Sequence, residues 1–166
     1  MIISSTEADW SREKVIVGRY EPGKYLLSAL RRYQRLRMKK GILARSAALS
    51  QVALHRFWSA VCGADIPLDS EIGGGLLIPH PNGIVIHPGA RIGPNCLIFQ
   101  QVTIGAGSES GLPVIEGHVD IGAGAKIIGA VRIGAHARIG ANAVVIEDVP
   151  RCSTAVGIPA KIRMAE

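Results

Sequence analysis

Residues 115–149 read IEGHVDIGAGAKIIGAVRIGAHARIGANAVVIEDV. Ile or Val recurs at every sixth position: Ile115, Ile121, Ile127, Ile133, Ile139 and Val145. Four residues after each stands a small or branched apolar residue, namely Val119, Ala125, Val131, Ala137, Ala143 and Val149. A fixed short period marks a solenoid, and a period of six points to a parallel β-helix. Neither a 3.6 nor a 2.0 period fits so long a run. The stretch predicts a mainly β prism with one Ile or Val per face in each coil. Truncating one of these to Ala should cost about 2–5 kcal/mol.

The repeat extends toward the amino terminus. Ile66, Ile72, Ile78 and Ile84 lie six apart; the register then slips by two, and Ile86, Ile92, Ile98 and Ile104 continue it. The slip falls in HPNGIVIHPG, where Pro81, Asn82, Gly83, Pro88 and Gly89 are strong turn residues. Between Ile104 and Ile115 the period breaks, so residues 105–114 predict a loop leaving the prism. Insertions in solenoids collect on a functional face, which makes this loop a candidate site wall. At the far end TAVGIPAKIR drops out of the repeat and predicts a tail covering the last coil.

Residues 1–62 precede the repeat, and 63–166 form the expected β-helix domain. Residues 1–21 are polar and irregular and predict an arm. Pro22 then opens an amphipathic helix over 23–38, with Leu26, Ala29, Leu30, Tyr33 and Leu36 on one stripe and Arg31, Arg32 and Arg35 on the other face. A second helix is predicted over 43–61, with Leu43, Ala47, Leu54, Trp58 and Val61 on its stripe and Gly63 as its stop.

The net charge of +6 is uneven. Residues 1–62 hold twelve Lys and Arg against four Asp and Glu, whereas residues 63–166 hold seven against nine. The basic segment 24–40 is read first as a solvated helix face and second as a surface for peripheral approach to anionic lipid. No nucleic-acid partner is expected, because no aromatic platform interleaves with the cations. Cys62, Cys96 and Cys152 are widely spaced with no CxxC, which fits reduced thiols rather than a zinc site or a disulfide framework. The opening residues MIISSTEADW lack the charge and apolar run of a signal peptide, and Arg45, His55 and Arg56 interrupt the apolar-leaning stretch 42–61. The expected location is cytoplasmic.

The repeat, the segment IPHPNGIVIHPGARIGPNCLIFQQVTIG, and IGAGAKIIGAVRIGAHARIGANAVV followed by AVGIPAKI resemble the serine acetyltransferase branch of the hexapeptide acyltransferases over about residues 55–163. The resemblance implies a left-handed β-helix, a homotrimer with sites between neighbouring prisms, and acetyl-CoA as donor. It places the catalytic histidine on His80 and its partner aspartate on Asp65. An alcohol is a poor nucleophile near neutrality, so a base must take its proton as it attacks the thioester, and an imidazole with a pKa near 6.5 suits that task. A carboxylate on the other ring nitrogen would fix the tautomer. Taken by themselves, His80 could equally be a hydrogen-bonded turn residue and Asp65 a cap.

For the donor, the resemblance points to Gly105, Ala106, Ala123, Ala141 and Lys161, although repeat turns also demand small residues. His87 and Asn82 are acceptor-side candidates. His55, His118 and His136 read as surface residues, and no metal is expected. The chain departs from the serine enzymes at Pro79, where they carry Asp, and at Gly111 and Leu112, where they carry an Arg-His pair in a longer loop. Those charges hold an amino-acid zwitterion. The expectation is therefore an O-acetyltransferase acting on a sugar hydroxyl in polysaccharide biosynthesis, as in the short colanic acid and capsule types. Serine acetylation is the alternative, and a non-catalytic trimeric scaffold is the reading from another class.

Overall fold

A computed structural model of the chain describes residues 3–16, 18–108 and 110–164. A 3-10 turn, Trp10–Glu13, leads to two packed helices, α1 (Pro22–Arg37) and α2 (Ile42–Cys62), and then to the prism. Pro22 stands at the start of α1, where its missing N–H costs no bond, and Gly63 ends α2 in the left-handed region at φ 59°.

The prism has three faces of short parallel strands. The first carries Glu71–Ile72, Arg91–Ile92, Val114–Ile115 and Arg132–Ile133. The second carries Leu97–Ile98, Asp120–Ile121, Arg138–Ile139 and Thr154–Val156, with Lys161–Arg163 returning antiparallel beyond them. The third carries Val85–Ile86, Thr103–Gly105, Lys126–Ile128 and Val144–Val145, with Asp65 bridged to Val85 beneath. In each coil one residue per face points inward. Ile86, Ile98, Ile104, Ile121, Ile127 and Ile133 are buried, and Ala90, Cys96, Val102, Val119, Ala125 and Ala137 fill the small positions.

The register follows the sequence breaks. Ile115 pairs with Ile133, 18 residues on, which is three hexapeptides per coil. Ile72 pairs with Ile92, so the slip of two is absorbed by a longer turn at residues 79–83. Ile92 pairs with Ile115, and the excess leaves the prism as the loop between Gly105 and Val114.

Two expectations for the amino-terminal third need correction. Arg31 does not lie on a solvated face: it is buried, and its guanidinium donates to both carboxylate oxygens of Glu13 (2.9 and 3.1 Å) and to the carbonyls of Ile72 (2.6 Å) and Gly73 (2.7 Å). The expected arm, over its described residues 4–13, is fastened to the prism: Glu13 Oε1 also accepts from Leu76 N, and Asn95 binds Ser4, Glu7 and Asp9. On α2 the buried residues are Ala48, His55 and Cys62, whereas Leu43, Leu54 and Val61 of the expected stripe are exposed. This helix carries apolar residues on more than one side, so periodicity alone chose the wrong one. Among the described residues no helix is long and apolar enough to cross a membrane.

Candidate active site

The corner between the second and third faces collects most of the expected site residues. Its first turn, residues 79–83, carries exposed His80 and Asn82. The next turn brings Phe99 beside it, with ring centroids 6.5 Å from His80. Gly124 N donates to Gln100 O and Asn142 N to Ala123 O, which stacks Ala123 and then Ala141 directly along the corner. Beyond them Val144 N donates to Gly157 O, and Lys161 pairs with Val156. Successive coils lie about 4.8 Å apart, so the corner runs roughly 14 Å from His80 to Ala141 and ends near Lys161. It offers a basic nitrogen at one end, small residues with reachable backbone along its length, and an exposed ammonium at the other.

Asp65 enters this corner from below. Gly83 N donates to Gly63 O, and two residues later the chain crosses onto the third face, where Asp65 N donates to Ile84 O and Asp65 O accepts from Ile86 N. Its side chain stays exposed, and no hydrogen bond joins it to His80 among the described residues. Above Asp65 on the outer third face come Val85, Thr103 and Lys126. Lys126 Nζ donates to Gln101 O (2.6 Å) and Thr103 Oγ1 (3.1 Å), which fixes a cation beside the corner. Lys126 escaped sequence reading because its signal is one outward position in an ordinary hexapeptide.

The remaining candidates lie elsewhere. His87 N donates to Ile104 O, which sets His87 beside Gly105 at the opposite edge of the third face, and Leu112 of the loop lies against Gly89 there. Ala106 begins that loop and is exposed, while Glu109 lies outside the described residues. One chain therefore holds two groups, His80 with Asn82, Ala123, Ala141 and Lys161, and His87 with Gly105 and Ala106. A cavity of about 1330 Å³ between the arm and the helices, lined by Trp10, Lys14, Tyr25, Arg32, Arg35 and Trp58, includes none of them.

The three histidines expected at the surface behave otherwise. His55 is buried with Nε2 unpartnered; burial pushes its pKa below 6.5, and the Asp65 charge opposes that. His118 and His136 are half-buried and meet each other, Nδ1 to Nδ1, at 2.7 Å. Burial also pushes Cys62 and Cys96 up to about 11, so neither supplies a thiolate near neutrality.

No protein-family model matches the chain. The serine acetyltransferase of Bacillus licheniformis is 42% identical over 127 residues, covering 75% of this chain and 56% of that protein. That of Helicobacter pylori is 45% identical over 117 residues, covering 69% and 66%. Among solved structures, soybean serine acetyltransferase complexed with serine superposes with a TM-score of 0.72 at 36% identity, over 87% of this chain and 58% of that one. The serine acetyltransferase from Brucella abortus in complex with coenzyme A gives 0.73 at 32%, over 86% and 56%. The chain thus spans about half the length of most relatives it matches. These comparisons favour the serine acetyltransferase alternative over the polysaccharide expectation, which rested on the departures at Pro79, Gly111 and Leu112. In sequence and in fold the chain is a hexapeptide-repeat left-handed β-helix similar to the serine acetyltransferases.

Proposed function

We propose that the protein transfers an acetyl group from acetyl-CoA to the hydroxyl of L-serine. The observation that carries this reading is the joint one: 42% identity to a serine acetyltransferase, and superposition on structures named for their complexes with serine and with coenzyme A. In this reading His80 is the general base and Asp65 orients it. The serine O–H bond breaks toward an imidazole nitrogen as the hydroxyl oxygen attacks the thioester carbonyl. The tetrahedral adduct then collapses with cleavage of the C–S bond, and the proton on His80 passes to the departing thiolate. No acyl-enzyme is required.

The donor lies along the corner from His80 past Ala123 and Ala141, with Lys161 offering charge to a phosphate. His87, Gly105 and Ala106 stand at the other edge of the third face, two or three strand residues away, about 7–10 Å. In a homotrimer that edge would complete the site of a neighbouring prism. Pro79, Gly111 and Leu112 deprive the acceptor of charged partners, which raises the serine KM rather than changing the chemistry.

An acceptor screen tests the reading. Coenzyme A release from acetyl-CoA is followed with L-serine, with threonine and with free and nucleotide-linked sugars. Serine is expected to give the highest kcat/KM. Turnover with a sugar and none with serine would overturn it.

A further inference from the structure

The corner between the first and second faces, remote from His80, carries a column of residues held in the left-handed region: Asn95 (φ 61°), His118 (53°), His136 (62°) and Cys152 (59°). Each donates its N–H to the coil before it, His118 to Pro94 O (2.8 Å), His136 to Gly117 O (3.3 Å) and Cys152 to Ala135 O (2.9 Å), so the side chains leave the prism one above another. The two histidines lie 18 residues apart, one full coil. Their rings stand 4.9 Å apart and 70° inclined, with the Nδ1 atoms aimed at each other at 2.7 Å.

We propose that His118 and His136 form a two-imidazole chelate for a divalent transition ion of the zinc class. Zinc binds imidazole nitrogen at about 2.0–2.1 Å, so two nitrogens on one ion lie roughly 2.9–3.4 Å apart for angles between 90° and tetrahedral. The observed pair, now one imidazole hydrogen-bonded to the other, needs to open by about 0.2–0.7 Å and to turn each Nδ1 lone pair about 35–45° off the line joining them to admit it. The backbone supplies the preorganisation, because both residues occupy a strained conformation fixed by the coils on either side. No third metal-ligating side chain completes a cluster among the described residues, so water fills the other positions and the affinity is modest.

Charged neighbours set the balance. Asp120 favours a cation beside His118, whereas Arg12 and Arg138 oppose it. Below the pair, Asn95 is committed to the arm through Ser4 O, Glu7 O and Asp9 N. Above it Cys152 is exposed. Imidazole suits zinc, copper and nickel, and copper should bind more tightly than zinc.

The test uses the untagged full-length chain bearing Cys152→Ser, which removes the exposed thiol as a competing ligand. After chelator treatment it is titrated with zinc sulfate by calorimetry. One zinc per chain in the micromolar range is expected, weakened more than about tenfold by His118→Asn or His136→Asn. Asparagine is chosen because Asn95 and Asn142 already hold this backbone conformation in the same kind of turn. Absence of a stoichiometric heat, or equal affinity in the variants, overturns the proposal. Imidazole ¹⁵N spectra of the chain with both histidines provide a readout independent of the variants. Zinc must shift the Nδ1 resonance of both rings, and a shift in neither contradicts the chelate.

Discussion

Replacing Arg31 with Met should be among the most damaging single changes in the chain. The residue is 8% exposed and sits where the arm, α1 and the first coil meet. It donates to both oxygens of Glu13 and to the carbonyls of Ile72 and Gly73. Methionine fills much of the volume but strands a buried carboxylate that, among the described residues, keeps only Leu76 N as a donor. Removing one partner of a buried pair costs about 3–5 kcal/mol, far more than a surface pair is worth, because the surviving charge loses its compensation. For 166 residues the unfolding entropy is about 0.35 kcal/mol/K. The variant should therefore melt about 9–14 °C lower. Urea denaturation with calorimetry measures both quantities. The double variant Glu13→Gln, Arg31→Met should recover part of the loss, since no charge then remains buried. A loss below about 1 kcal/mol in the single variant, or a double variant no better than the single, refutes the reasoning.

Ile127→Ala removes a fully buried side chain from the middle of the third face and should cost about 2–5 kcal/mol, read by the same denaturation. An aromatic thiol reagent at neutral pH should label Cys152 quickly and leave Cys62 and Cys96, both near 11, untouched until the chain unfolds; two or more fast thiols would contradict their burial. Burial lowers the pKa of His55 in the folded chain, so the unfolded chain binds the extra proton first. Stability should fall as the pH drops below about 6.5, and His55→Gln should flatten that limb of the melting curve; an unchanged acid limb would count against it.

The hexapeptide period was enough to read the prism, because an inward Ile every sixth residue admits few other folds. Its breaks were legible too: the slip at residues 79–83 became a long turn and the gap after Ile104 became a loop. Pairings set by tertiary contact were not legible. Arg31 carries the same local pattern as Arg32, and only the docking of Glu13 separates the buried one from the exposed one. The His118–His136 contact follows from a spacing of one coil, which acquires meaning only once the coil length is known. His80 and Asp65 came from a resemblance, and the two residues remain unbonded to each other in a single chain.

The most direct test of the account measures coenzyme A release with L-serine for the unsubstituted chain and for His80→Ala, alongside acetyl-CoA affinity for both. The account predicts serine-dependent release that falls by about 10²–10⁴ in kcat on losing the base, with donor affinity nearly unchanged. Equal turnover by the two proteins would contradict it.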